Sequence, residues 1–176
     1  NEGYAAAMAS GDILQAALNM LVRGSVFFFA GVNLQTTQEK IAETANFMCE
    51  RKMLIFMIQN KCIQQSLFKL IGTDEKPQDF SAEEVNILAN NNSVMRTNYF
   101  QKAYMSFMFR LYDDSKLYTE KYLDCVDNTW ANLILQHAFQ VFYTGLISFW
   151  VARKSRDEDG QQWHERGMRS KLALKK

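Results

Sequence analysis

The stretch from Trp130 to Ala152 lies within the longest uncharged run of the chain, which begins after Asp127 and stops before Arg153. Within it, apolar residues recur at three- and four-residue spacings, which is the period of one face of an α-helix. Further bulky residues widen that face until little polar surface remains, so we expect a central helix buried on most sides. The predicted packing face consists of Ile134, His137, Ala138, Val141 and Phe142.

The length of this stretch also fits a bilayer, because about 20 apolar residues span the hydrocarbon core. Polar side chains are costly in hydrocarbon, however, and four of them interrupt the stretch. The stretch therefore predicts a protein core rather than a membrane span. The four polar residues are Asn132, Gln136, His137 and Gln140.

The composition predicts an all-α protein. The 176 residues include a single proline, Pro77, and eight glycines, so few residues break helices. The 13 Phe and nine Met residues suit bulky, adaptable helical cores better than the β-branched runs of sheets. Hydrophobic residues make up 48% and charged residues 22%, which is typical of a globular domain and not of a disordered chain.

Capping and turn residues divide the first half of the chain into helices. Asp12 is a predicted N-cap for a helix from Ile13 to about Ala30, and Gly31 ends it. A long helical region then runs to Gly72, starting at Asn33 or Thr36, with a bend near Arg51. The predicted inner face of the earlier helix is Ala16, Met20, Val26 and Phe27.

The second half begins with a predicted loop over residues 73–80. Ser81 and Glu84 form a capping box, in which each side chain binds the other residue's free backbone donor. Ser93 is predicted to cap a helix from Val94 to Tyr112. A turn at Asp113-Asp114 then leads into a helix over residues 115–127, and a charged turn precedes the last amphipathic helix.

This order of helices and short turns predicts antiparallel helix pairs. Such pairs bury their apolar faces against their neighbours, which is the arrangement of an α-solenoid. We therefore predict one helical-repeat domain over residues 1–176. Because the chain lacks an initiator Met and ends within a helical pattern, we also expect it to be a fragment of a larger protein.

Three cysteines at irregular spacing indicate reduced, buried thiols rather than a disulfide framework or a zinc site. The three cysteines are Cys49, Cys62 and Cys125. We accordingly predict a cytoplasmic protein.

Several stretches resemble the tetratricopeptide repeat. Gly11-Asp12-Ile13 with Ala16 and Met20 is similar to the turn and second helix of that repeat, and a looser copy starts at Asn98. A longer resemblance, over nearly the whole chain, is to the helical region that follows the ATPase module in large signalling proteins. Those proteins combine a serine/threonine-kinase-like domain, an AAA-type ATPase and C-terminal sensor domains. The stretches that carry it are GYAAAMASGD, FFFAG, LIG, NYFQKAYMSFMF, HAFQVFYTGLISFWVAR and QQWHERG.

The resemblance implies a non-catalytic interaction or regulatory segment whose partner is a protein or another domain of the same polypeptide. The phosphate-binding loop G-x-x-x-x-G-K-[ST] and the kinase catalytic loop do not occur in the sequence. We predict no catalytic, cofactor-binding or metal-binding residues, and no cofactor. His164-Glu165 is not a zinc motif, because H-E-x-x-H would require histidine at Met168.

The net charge of +1 gives no general argument for nucleic acid. The segment from Trp150 to Lys176, however, contains eight Lys and Arg residues and four Asp and Glu residues, which gives a local charge of about +4. The partner-binding residues that this region suggests are Arg153, Lys154, Arg156, Arg166, Arg169 and Lys171.

Two other functions remain open from the residues alone. One is a helical enzyme or ligand carrier with a pocket around His137, Gln140 and Tyr143, under the central helix at 130–153. The other is a nucleic-acid module, which would need the basic residues on one continuous face.

Overall fold

The computed structural model describes residues 2–72, 79–125, 134–155 and 158–175. In these ranges every regular element is an α-helix, which confirms the all-α prediction. Most of the predicted loop over 73–80 lies outside the described residues. The helices are α1 (Glu2–Ser10), α2 (Ile13–Phe29), α3 (Leu34–Glu50), α4 (Leu54–Ile71), α5 (Ala82–Asn90), α6 (Asn92–Met108), α7 (Tyr112–Asp124), α8 (Ile134–Lys154) and α9 (Glu158–Ala173).

The chain divides into two compact units, Asn1–Val94 and Met95–Lys176, with the boundary inside the first turn of α6. In the first unit α2 packs on α1, α3 and α4, while α4 also packs on α3 and α5. In the second unit α8 packs on α7 and α9. Each unit therefore contains pairs of consecutive helices that pack on each other. The stacking of a tetratricopeptide-like solenoid remains a prediction.

The capping and turn residues in the sequence predict most helix ends of the first unit correctly. The Asp12 carboxylate accepts from the Gln15 N–H at 2.9 Å, and the Asn33 side chain caps α3. Gly31 and Gly72 take the left-handed backbone conformation, with φ of 71° and 69°, which glycine adopts without steric cost. The Ser81 capping box is also present, because Ser81 N–H donates to Glu84 and Glu84 N–H donates to Ser81.

Two helix boundaries differ from the prediction because a basic residue takes a left-handed conformation. Lys52 has a φ of 54°, and the predicted bend near Arg51 is a complete break between α3 and α4. Arg110 has a φ of 58° and ends the preceding helix, so α7 already begins at Tyr112. The predicted turn at Asp113-Asp114 is the first turn of α7, where carboxylates favour the positive end of the helix dipole.

The start of α6 also corrects a prediction. Asn91, not Ser93, supplies the cap, because its side-chain oxygen accepts from the Val94 N–H at 3.1 Å. The Ser93 hydroxyl instead accepts a 2.8 Å hydrogen bond from the Gln59 amide of α4. Within the first unit, Ser93 therefore ties the first turn of α6 to α4.

The buried faces of two helices are rotated relative to the prediction. In α2, Ala16 is buried as expected, but the other core positions are Ala17, Leu21, Gly24, Ser25, Phe28 and Phe29. In α8, Phe142 is 45% exposed, and the buried residues include Gln140, Thr144, Ile147, Ser148 and Val151. Ser148 can occupy a core position because its hydroxyl donates to the Thr144 carbonyl oxygen at 2.7 Å within the same helix.

The cysteine prediction is correct for two of the three thiols. Cys62 and Cys125 are buried, whereas Cys49 is exposed near the end of α3. All three are free.

Candidate functional site

Helices α8 and α9 form a tightly packed antiparallel hairpin in the second unit. A Cβ atom on Gly145 would lie 2.9 Å from the Ser170 Cβ, and one on Gly167 would lie 2.8 Å from the Phe149 ring. Real Cβ atoms do not approach other heavy atoms so closely. A side chain at position 145 or 167 would therefore force Ser170 or the Phe149 ring to shift.

The inner side of this hairpin completes a hydrophobic core. Trp163 of α9 is fully buried with Ile147 and Val151 of α8 and Ala103 of α6. The rings of Phe107 and Trp150 meet edge to face at 5.6 Å between centroids, a favourable aromatic geometry. Burial of this side fixes which residues of α8 and α9 point away from the core.

Asp159 holds the turn of the hairpin to α7. Its carboxylate accepts hydrogen bonds from Lys116 at 2.6 Å and from the Trp163 indole at 3.1 Å. The hydrogen bond from Lys116 is the main cause that holds the pKa of Asp159 below its ordinary value, and the same bond raises the pKa of Lys116. The charged turn predicted before the last helix includes Asp159, which the structure places in the first turn of α9 with its partly exposed carboxylate paired with Lys116.

The outer side of the hairpin exposes large apolar side chains on both helices. Phe142 and Leu146 of α8 are 45% and 38% exposed, while Met168 and Leu172 of α9 are 38% and 56% exposed. Each pair is four residues apart, so its members lie on one side of their helix. We call these four residues the hairpin face.

The two halves of the hairpin face lie on the same side of the hairpin. Phe149 follows Leu146 by three residues and so continues the α8 stripe, while His164 precedes Met168 by four and continues the α9 stripe. The rings of Phe149 and His164 meet at 5.6 Å between centroids. This contact joins the two stripes, so the exposed apolar residues flank one common seam.

The structure distributes the predicted partner-binding residues over several sides of the hairpin. With roughly 100° between successive helical residues, Arg166 and Arg169 share one side of α9 and Lys171 lies on another. The charge of Lys154 lies over the Tyr112 ring at 4.7 Å, and that of Arg166 over the Trp163 ring at 4.7 Å. Arg156 lies outside the described residues.

Two of these basic residues border the hairpin face. Arg153 follows Leu146 by seven residues and so ends the α8 stripe, and Lys171 follows His164 by seven in the α9 stripe. Both are exposed, as is Lys175 one turn beyond Lys171. We call Arg153, Lys171 and Lys175 the basic rim. Glu165, also exposed, lies at the outer border of the α9 stripe.

The residues of the alternative pocket are used largely for packing. Gln140 is 4% exposed and accepts a hydrogen bond from the Tyr122 hydroxyl at 3.2 Å. That hydroxyl accepts one from Arg96 at 2.9 Å, so the three residues form a chain across α6, α7 and α8. Tyr143 packs edge to face on Tyr104 at 4.7 Å, and burial raises the pKa of Tyr104 to about 12.

Three buried polar atoms of the second unit lack a hydrogen-bond partner among the described residues. They are Gln101 Oε1, Ser115 Oγ and Thr119 Oγ1. Sequence reasoning identified neither these atoms nor the Arg96–Tyr122–Gln140 chain. Single polar residues within an apolar helical pattern do not indicate whether their side chains will be paired.

The first unit contains a surface cavity of about 160 Å³ between α1 and α2. The guanidinium of Arg23, one of its lining residues, lies 5.5 Å from the centre of the Phe27 ring. No pattern in the sequence predicted this cavity. The residues that line it are Gly3, Tyr4, Asn19, Met20 and Arg23.

Within the described ranges, no three His, Cys, Asp or Glu residues are grouped so that they could hold a metal ion. None of the helices that the structure describes combines the length and the apolar character needed to cross a membrane. In comparisons with known proteins, no family model, no curated protein and no solved structure matches this chain.

Proposed function

We propose that this chain is a non-catalytic interaction module of helical-repeat type, and that the hairpin face is its docking surface. The observation that carries the proposal is the exposure of Phe142, Leu146, Met168 and Leu172 on one side of the hairpin. Scattered apolar residues are normal on protein surfaces, but a contiguous group indicates an interaction site.

The architecture behind the face suits docking. The inner side of α8 and α9 is fixed by the Trp163 core and by the Asp159 hydrogen bonds. The glycine contacts fix the distance between the two helices. A rigid surface loses little conformational entropy on binding, so more of the contact energy remains as affinity.

We propose further that the module belongs to a cytoplasmic signalling protein with an ATPase or kinase domain. The support for this context is the sequence resemblance described above, together with the helical pairs of both units. In this role the module would couple partner binding to a neighbouring catalytic domain, and would itself turn over no ATP.

The alternative, a ligand-binding or enzymatic domain with its pocket near residues 130–153, has one observation in its favour. Gln101, Ser115 and Thr119 leave buried polar atoms without partners among the described residues, and such atoms suit a polar ligand. Against it, Gln140 and Tyr143 are already engaged by Tyr122 and Tyr104.

The experiment compares ATP turnover in the longer polypeptide with and without the double substitution Leu146→Ser, Met168→Ser. The matched control is Leu117→Ser, which changes a residue of similar exposure, 43%, on α7. We expect turnover or its regulation to change only with the double substitution, and the isolated chain to show none. Turnover by the isolated chain, or equal effects of both variants, would contradict the proposal.

A further inference from the structure

We infer that the hairpin face binds an amphipathic α-helix of a partner protein whose apolar side is flanked by acidic residues. This inference rests on the proposed docking function and adds the chemistry of the occupant. It is carried by the shape of the two apolar stripes and by the charges at their ends.

The shape of the face fits a helix. Phe142, Leu146 and Phe149 on α8 run antiparallel to His164, Met168 and Leu172 on α9, with a seam between the two rows. A helix that lies along such a seam places its own i, i+3, i+4 and i+7 side chains between the rows. From Phe142 to Arg153 the α8 row is about 16 Å long at 1.5 Å per residue, which matches roughly three helical turns.

The charge around the face selects an acidic partner. Helix α8 contains no Asp or Glu, and its exposed stripe ends at Arg153. Lys171 and Lys175 stand at the other end, on the α9 side. Glu165 is the one acidic residue that we find at the border of these stripes in the described part of α9. Acidic residues beside the apolar side of a bound helix would meet the basic rim. Such pairing favours fast association and a defined alignment of the bound helix.

The same charges disfavour two other occupants. A second copy of this chain docked face to face would bring two basic rims together, and like charges in an interface are costly. An anionic membrane surface is usually bound by a cluster of four to eight basic residues, whereas the basic rim has three. A helix with acidic flanks satisfies both the apolar centre and the rim.

The test is a selection of binding peptides from a displayed library of amphipathic helices. Apolar positions are fixed, and each flanking position is Glu or Lys with equal probability. The bait is the full chain, and peptides that also bind the Leu146→Ser, Met168→Ser chain are removed. Circular dichroism of every variant checks that the helical fold is kept, and Leu117→Ser serves as a control bait.

The inference predicts enrichment of Glu at the flanks, and at least tenfold weaker binding of the selected peptides to Arg153→Glu, Lys171→Glu. Selected helices without a flank preference, or with Lys preferred, would overturn the inference and leave the docking function standing. If the native chain selects no peptide in preference to the Leu146→Ser, Met168→Ser chain, both the inference and the docking function are overturned.

Two parallel measurements address the other occupants. Sedimentation of the chain alone reports self-association, and co-sedimentation with phosphatidylserine vesicles reports membrane binding. We expect neither at the concentrations where the selected peptides bind. Self-association or vesicle binding that Leu146→Ser, Met168→Ser abolishes would assign the face to a second copy or to a membrane, and would overturn the inference.

Discussion

The ring of Phe149 lies so close to Gly167 that a methyl group at position 167 would come within 2.8 Å of it. The two residues face each other across the α8–α9 hairpin, and the same Phe149 ring contacts His164 one turn away. Together with the close approach of Gly145 to Ser170, this contact sets the helix spacing on which the hairpin face depends.

Gly167→Ala is therefore expected to destabilise the protein. Alanine favours helix by up to about 1 kcal/mol over glycine, but the clash with Phe149 costs about 1–3 kcal/mol, and we expect the clash to dominate. Urea unfolding measures the difference. Phe149→Leu is the matched test, because with a smaller side chain at position 149 Gly167→Ala should destabilise the protein less. An equal loss of stability from Gly167→Ala with and without Phe149→Leu would contradict the account.

Asp159→Asn should lower stability at neutral pH by roughly 0.5–1 kcal/mol, a modest value because the pair with Lys116 is partly exposed. The pKa of Asp159 is lower in the folded state, so its stabilising effect is full above the unfolded pKa, about 3.9. The effect is lost as the pH falls through the folded pKa.

Thermal unfolding of the native chain and Asp159→Asn, followed over a range of acidic pH, tests this directly. The two melting temperatures should converge as Asp159 protonates. Lys116→Met should remove most of the difference at neutral pH as well. A constant difference down to the lowest pH would show that Asp159 acts through its neutral hydrogen bonds alone.

Tyr122→Phe removes the hydroxyl that joins Arg96 to Gln140. The Gln140 oxygen is buried and would lose its donor, so we expect a loss of about 1–3 kcal/mol. Tyr118→Phe on the same helix is the control, since Tyr118 is only partly buried. Denaturant unfolding that shows the same small loss for both variants would argue against a structural role for the chain of hydrogen bonds.

Ser81→Ala should destabilise the first unit by about 1 kcal/mol, because the serine hydroxyl is the side-chain cap of α5. Glu84 completes the cap and also pairs with Lys61 at 2.9 Å. Burial acts to raise the pKa of Glu84, but the hydrogen bonds from Lys61 and Ser81 outweigh it and lower that pKa. Hydrogen exchange at the start of α5 measures the effect, and Ser81→Asp, which retains a capping oxygen, should restore protection.

Much of the fold could be predicted because local chemistry sets the helix ends. Asp12, Asn33 and Ser81 cap helices with their own side chains, and Gly72 ends one with a conformation that glycine adopts freely. The breaks at Lys52 and Arg110 could not be predicted in this way. Basic residues rarely take positive φ, and tertiary packing has to hold them there.

The candidate site was less accessible from sequence. Phe142 looked like a core residue because it fits an apolar helical period, yet packing against α7 and α9 selected another face of α8. That face includes Gln140 and Ser148, which satisfy their polar groups within the protein. Arg153 and Lys171 were identified from charge alone, and only the hairpin geometry places them beside the apolar stripes.

The most direct test of the docking function is site-specific photo-crosslinking in the native host. A photoreactive phenylalanine analogue replaces Leu146 in one variant and Leu117, the similarly exposed control on α7, in another. The account predicts a discrete crosslinked polypeptide from position 146, identified by mass spectrometry, that position 117 does not give. The absence of any crosslink at 146, or the same products from both positions, would contradict the claim that the hairpin face is a docking surface.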